Sequence, residues 1–77
     1  MVHDEATIEH FKEQIKEQLG FKEVFFEKQV TEDLYYRTRD NNGIEDRIRI
    51  KPQIGTAFSW FQNAWRPIKG FKFGEFR

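Results

Sequence analysis

The segment that decides the fold is residues 34–51, LYYRTRDNNGIEDRIRIK. It consists of two runs of alternating apolar and polar residues around a polar loop, a pattern typical of a β-hairpin. A three-residue loop of Asn41, Asn42 and Gly43, with the glycine in the left-handed conformation, joins such strands through a G1 bulge. The segment therefore predicts one strand over 34–39 and another over 44–51.

The register of this hairpin follows from its apolar positions. A three-residue loop places apolar residues of the two strands opposite each other, whereas a shift by one residue would bring core residues opposite charges. The predicted pairs are Leu34–Ile50, Tyr36–Ile48 and Thr38–Asp46.

The same register gathers positive charge on the other face of the hairpin. Its cations are Arg37, Arg39, Arg47, Arg49 and Lys51. Arg37 lies directly opposite Arg47, and like charges in opposed positions destabilise a sheet. Glu45 opposite Arg39 offsets part of this repulsion. The ring of Tyr35 can stack on the guanidinium of Arg49, the residue opposite it. Water must screen the remaining repulsion, or a bound anion must neutralise it. This face is therefore the candidate binding site.

An amphipathic helix precedes the hairpin and runs from about Glu5 to Leu19. Asp4 suits its N-cap and Gly20 its left-handed C-terminal position. Residues 22–30, rich in Val and Phe, predict a further strand. The helix stripe is Ile8, Phe11, Ile15 and Leu19, and Val24, Phe26 and Val30 share one face of the strand.

The chain after Pro52 predicts a short helix and an aromatic tail. Thr56 can cap a helix that ends at about Arg66, before Pro67. The inward positions of this helix are Phe58, Phe61 and Trp65, and Trp60 falls outside that stripe. Residues 71–76 alternate aromatic and other residues, so they form either a short edge strand or a tail across the core.

We therefore predict one small α+β domain over residues 1–77. Its N-terminal helix packs on a three-stranded antiparallel β-meander, followed by a short helix and an aromatic C-terminal tail, in the order α-β-β-β-α with an optional edge strand. This order resembles that of the double-stranded-RNA-binding domain. That family has a lysine cluster at the start of its last helix, where this chain has residues 56–60, TAFSW, so we assign no family.

Charge is balanced over the whole chain but not along it. The sequence has 13 basic and 13 acidic residues. Residues 1–35 contain nine acidic and four basic residues, and residues 36–77 contain four acidic and nine basic residues. Such asymmetry is typical of a polyanion contact or of an acidic region that shields a basic one. The alternative is that water solvates both halves.

The sequence lacks the residues that several classes of function require. The absence of cysteine excludes a disulfide scaffold, a cysteine zinc site and a thiol nucleophile. The glycines are isolated, and Ser59 lies in no nucleophile elbow. His3 and His10 have no convincing third ligand partner. We therefore expect no enzyme, no cofactor and no metal, and the lack of a long apolar run predicts a cytoplasmic protein without a membrane segment.

The leading hypothesis is a non-enzymatic module whose Arg-rich strand face contacts nucleic-acid phosphates. Its predicted binding residues are Tyr35, Arg37, Arg39, Arg47, Arg49, Lys51, Trp60, Arg66 and Lys69. The alternative is a small protein–protein interaction protein, an inhibitor or adaptor of the kind that phages encode, which docks this basic face on an acidic partner surface. The sequence pI of about 6.7 favours this alternative. The aromatic tail, Phe71, Phe73 and Phe76, is a candidate homodimer contact.

Overall fold

The computed structural model describes residues 3–73, which form one α-helix and a five-stranded antiparallel sheet. The helix, α1, spans Glu5–Leu19. The strands are β1 (Glu23–Val30), β2 (Asp33–Arg39), β3 (Glu45–Lys51), β4 (Thr56–Phe61) and β5 (Ala64–Pro67). They lie side by side in chain order, each antiparallel to its neighbours, so the sheet is a meander.

The predicted fold class is wrong in its second half, because the segment predicted as a second helix is a β-hairpin. Gln62 and Asn63 join β4 to β5, and both have positive φ, 52° and 60°. Two left-handed residues in a two-residue loop match the right-handed twist of paired strands. The aromatic residues before this turn alternate as well as they follow a helical period, and aromatic residues favour strands. Five strands therefore replace the predicted three.

The central hairpin has the predicted register. Leu34 pairs with Ile50, and Tyr36 pairs with Ile48. Its loop is held by the carboxylate of Asp40, which accepts backbone N–H groups of two loop residues at 2.8 and 2.9 Å. Gly43 has φ 80°, the left-handed conformation that the G1 bulge requires.

A β-bulge in β1 reverses the predicted orientation of its second half. The register shifts between Phe26 and Lys28, because Glu27 is an extra residue opposite β2. Lys28 therefore lies beside Tyr35, and Val30 is exposed on the face opposite Val24. The prediction that Val30 shares a face with Val24 and Phe26 was wrong, since one inserted residue inverts the alternation.

The core lies between α1 and one face of the sheet. Its buried residues are Phe11, Ile15, Val24, Leu34, Tyr36, Ile48, Ile50 and Ala57. The hydroxyl of Tyr36 donates to the Ile8 carbonyl of α1 at 2.8 Å. This hydrogen bond ties the middle of the sheet to the helix. Most polar side chains of the central strands lie on the other face; the exceptions are Thr38, which is buried, and its partner Asp46.

The aromatic tail crosses the helix side of the molecule as far as it is described. Phe71 and Phe73 pack against the core, and the rings of Phe73 and Phe11 lie 5.4 Å apart, edge to face. Gln18 binds both backbone groups of Lys72. Residues 71–73 form no strand, so the tail alternative describes them, and Phe76 lies outside the described residues.

Candidate functional site

The sheet face opposite α1, which we call the open face, contains a row of side chains that crosses all five strands. Phe25 pairs with Arg37, and Arg37 pairs with Arg47. On the other side of the sheet, Trp60 pairs with Trp65. The pairing of β3 with β4 places Arg47 in line with Trp60. These five residues, which we call the central row, put two adjacent arginines between aromatic rings.

A neighbouring row holds Arg49 between two aromatic rings. Its guanidinium carbon lies 5.1 Å from the ring centre of Tyr35 and 5.9 Å from that of Trp65. The same guanidinium donates from Nε to the Asp33 carboxylate at 3.0 Å. Arg49 is half-buried, and its predicted contact with Tyr35 is present. Stacking and ion pairing together make Arg49 a structural residue of this face.

Asp33 anchors the end of the open face. Its carboxylate accepts from Arg49 and lies 3.3 Å from the Lys51 ammonium. Burial by itself raises the pKa of the Asp33 carboxyl, but hydrogen bonds from the two cations outweigh it and hold the pKa below its usual value. Two of the predicted binding cations are therefore engaged within the protein.

Carboxylates also form ion pairs with the cations at the other end of the open face. Arg39 lies 3.0 Å from Glu45 and 3.7 Å from Glu23. The hydrogen bond to Glu45, with the charge of Glu23, raises the pKa of this guanidinium. Arg37 lies 3.5 Å from Glu27 in a solvent-exposed pair. The charge repulsion predicted for this face is thus largely compensated by acidic side chains of the same sheet.

Arg47 is the exception among the predicted strand cations. Within residues 3–73, no carboxylate lies within ion-pair distance of its guanidinium, and its side chain is exposed. It lines an open groove of about 370 Å³ with Arg37 and Trp60, walled by Glu45 and Asp46. This groove, the Arg47 groove, places two guanidinium groups beside an exposed indole.

A second open cavity, of about 310 Å³, lies at the edge of the sheet and is more apolar. Its apolar lining residues are Phe21, Ile44, Trp60 and Phe61, and its polar ones are Asp40, Glu45, Asp46 and Gln62. Ile44 and Phe61 are 63% and 57% exposed, which is unusual for side chains of their size. Trp60, Glu45 and Asp46 line both cavities, so the Arg47 groove and this apolar patch are continuous.

Two predicted binding residues do not reach the open face. Arg66 pairs with Ser59 on the opposite face, and its Nε donates to the Phe61 carbonyl at 3.1 Å. Lys69 follows β5 and is exposed outside the sheet. Both were predicted as binding residues because basic and aromatic residues are interleaved in the C-terminal part of the sequence.

Four open-face residues were missed by the sequence reasoning. They are Phe25, Lys28, Phe58 and Trp65. The signal that could have found Trp65 is its symmetry with Trp60 about residues 62–63, since cross-strand aromatic pairs stabilise hairpins. The rings of the two tryptophans lie 5.2 Å apart, edge to face.

Other classes of site find no support in the described part of the chain. Residues 3–73 contain no cluster of three or more metal-binding side chains. No helix within them is long and apolar enough to span a membrane. The sequence matches no protein-family model, and neither the curated proteins nor the solved structures give a match to it. The open face itself is therefore the basis for a functional proposal.

Proposed function

We propose that this chain is a non-enzymatic binding module that contacts nucleic-acid phosphates through the open face of its sheet. The observation that carries the proposal is the central row, in which Arg37 and Arg47 lie side by side between aromatic rings. Guanidinium groups suit phosphate oxygens because their N–H donors form a planar fork. Arg47 has no ion-pair partner within residues 3–73, and a bound phosphate would supply one.

The phosphate contacts are assigned to fewer residues than the full set of strand cations. Asp33 holds Arg49 and Lys51, and two glutamates hold Arg39. A phosphate would have to displace these carboxylates. Arg47 has no such competitor within residues 3–73, and the ion pair of Arg37 is exposed and weak. Arg37 and Arg47 therefore provide the main phosphate contacts.

The test is binding of labelled oligonucleotides, measured by fluorescence anisotropy at about 50 and 200 mM salt, the range where phosphate contacts weaken sharply. Arg47→Glu should abolish most binding, and Arg47→Gln should lower the slope of log affinity against log salt by about one. The matched control is Lys16→Glu, which makes the same charge change on the exposed surface of α1. Unchanged affinity in Arg47→Glu, or no binding at the lower salt, would refute the proposal.

A second candidate function is docking on an acidic protein surface, as an inhibitor or adaptor would. The specific observation that favours it is the apolar patch around Ile44 and Phe61, which is continuous with the Arg47 groove. Protein interfaces combine aromatic residues and arginine in this way. A protein partner would give a defined stoichiometry and a shallower salt dependence than a nucleic acid. Ile44→Asp should weaken such docking and leave oligonucleotide binding unchanged.

A further inference from the structure

We infer that the Arg47 groove selects single-stranded nucleic acid, with one unpaired base stacked on Trp60 and the adjoining phosphates on Arg37 and Arg47. This inference rests on the proposed function and specifies its substrate class. The groove, at about 370 Å³, lies within the size range of small-ligand sites, so it can admit one nucleotide unit. Of its five lining residues, Trp60 offers a ring for a base, Arg37 and Arg47 offer two cations for the backbone, and Glu45 and Asp46 form the wall.

The indole of Trp60 is held in place before any ligand arrives. Its ring meets Trp65 at 5.2 Å, edge to face, and Trp65 meets Tyr35 at 5.8 Å. Arg49 lies against both of these supporting rings. Trp60 nevertheless keeps 39% of its surface exposed. A ring that is fixed and exposed loses little conformational freedom when a base stacks on it.

The curvature of the sheet favours a single chain of nucleotides. Tyr35 and Trp65 lie on β2 and β5, three strand spacings or roughly 14 Å apart in a flat sheet. Their rings are in contact, so the sheet curls and the open face is concave at this point. Aromatic residues along a cationic concave face are the usual arrangement for holding unpaired bases.

The small number of available cations disfavours a duplex. In double-stranded nucleic acid the bases are stacked inside, so Trp60 has nothing to stack on and only phosphate contacts remain. Affinity for a duplex depends on the number of phosphates that the protein neutralises. Among the open-face cations of the described residues, Arg37, Arg47 and Lys28 lack a strong ion-pair partner, and Lys28 lies against the Tyr35 ring outside the Arg47 groove. So few phosphate contacts give weak duplex binding.

The experiment compares oligo(dT) of about 12 nucleotides, a length within the usual single-strand site sizes, with a hairpin duplex of similar charge. We expect oligo(dT) to bind at least about ten times more tightly at roughly 50 mM salt. Trp60→Ala should weaken oligo(dT) binding by about five- to 150-fold, the range for stacking of one base, and leave duplex binding unchanged. Phe61→Ala is the matched control, since Phe61 is the next residue of β4 and is more exposed.

A second readout keeps the inference testable if Trp60→Ala fails to fold. The chain contains two tryptophans, so Trp65→Phe leaves Trp60 as the only indole and retains a supporting ring. Stacking should then quench the Trp60 fluorescence on addition of oligo(dT) but not of the duplex. One outcome would overturn the single-strand inference and leave the proposed function standing. In it, oligo(dT) and the duplex bind equally, neither quenches the Trp60 fluorescence, and Arg47→Glu abolishes the binding of both. No binding of either probe would overturn both.

Discussion

The hydroxyl of Tyr36 should control the alkaline stability of the protein. Tyr36 is 1% exposed, and its hydroxyl donates to the Ile8 carbonyl at 2.8 Å. Burial, with a smaller effect of the Glu9 charge, raises the pKa of the phenol well above its usual value. At pH 7, Tyr36→Phe should lower the free energy of unfolding by about 1 kcal/mol, the net value of one hydrogen bond. The urea midpoint then falls by about 1 M if the slope is near 1 kcal/mol per M.

Above pH 10 the effect of this substitution should shrink and reverse. In the unfolded chain the phenol loses its proton near pH 10, whereas the folded protein retains it because the pKa is raised. The stability due to the protonated phenol is thus complete below pH 10. It falls by about 1.4 kcal/mol per pH unit above that value. Tyr36→Phe lacks this loss, so the two stability curves should cross within about one pH unit above 10.

The assay is urea unfolding, followed by far-UV circular dichroism at intervals from pH 7 to about 11.5, which brackets the titration of a free phenol. The quantity to compare is the difference between wild type and Tyr36→Phe at each pH, since lysine titration affects both proteins alike. A difference that stays constant across this range would mean that the phenol titrates normally in the folded state. Burial of the Tyr36 hydroxyl under α1 would then not be the cause of a raised pKa.

Three further predictions concern other contacts. Asp33→Asn should cost roughly 1.5–3 kcal/mol at pH 7, because it removes the charged acceptor shared by two cations. The pKa of Asp33 is lowered in the folded protein, so its carboxylate stabilises the fold only while it is charged. The difference in the free energy of unfolding between wild type and Asp33→Asn, measured by chemical denaturation, should therefore diminish as the pH falls below about 4. Gln62→Gly should raise the melting temperature, because it removes the strain of a non-glycine residue in the left-handed conformation, about 1–2 kcal/mol. Gln53→Gly is the control and should not raise it. Equal shifts in the two variants would contradict the turn assignment. Gln18→Ala removes the acceptor of the Lys72 backbone N–H, so amide hydrogen exchange at Lys72, measured by NMR, should become about ten times faster with little change in melting temperature. Unchanged exchange would show that this hydrogen bond does not protect the amide.

Where one local pattern allowed only one structure, the sequence predicted the fold. The α1 stripe, its cap residues and the loop at residues 40–43 agree on one conformation. The hairpin register follows because any shift would put charges into the core. The segment 56–67 allowed two structures, since its aromatic residues fit a helical period and a strand alternation. Pairing with β3 decided between them, and that pairing is a long-range contact.

Within the central hairpin, the sequence by itself determined which side chains face away from the core and that Arg37 lies opposite Arg47. It could not determine which of these cations are available to a ligand. The tertiary structure decided that by bringing Asp33 to Arg49 and Lys51, and Glu27 to Arg37. It also placed the β4–β5 hairpin beside the arginines. The physical reason is that alternation along a strand is local, whereas ion pairing and ring stacking between strands depend on bulges, turns and sheet curvature.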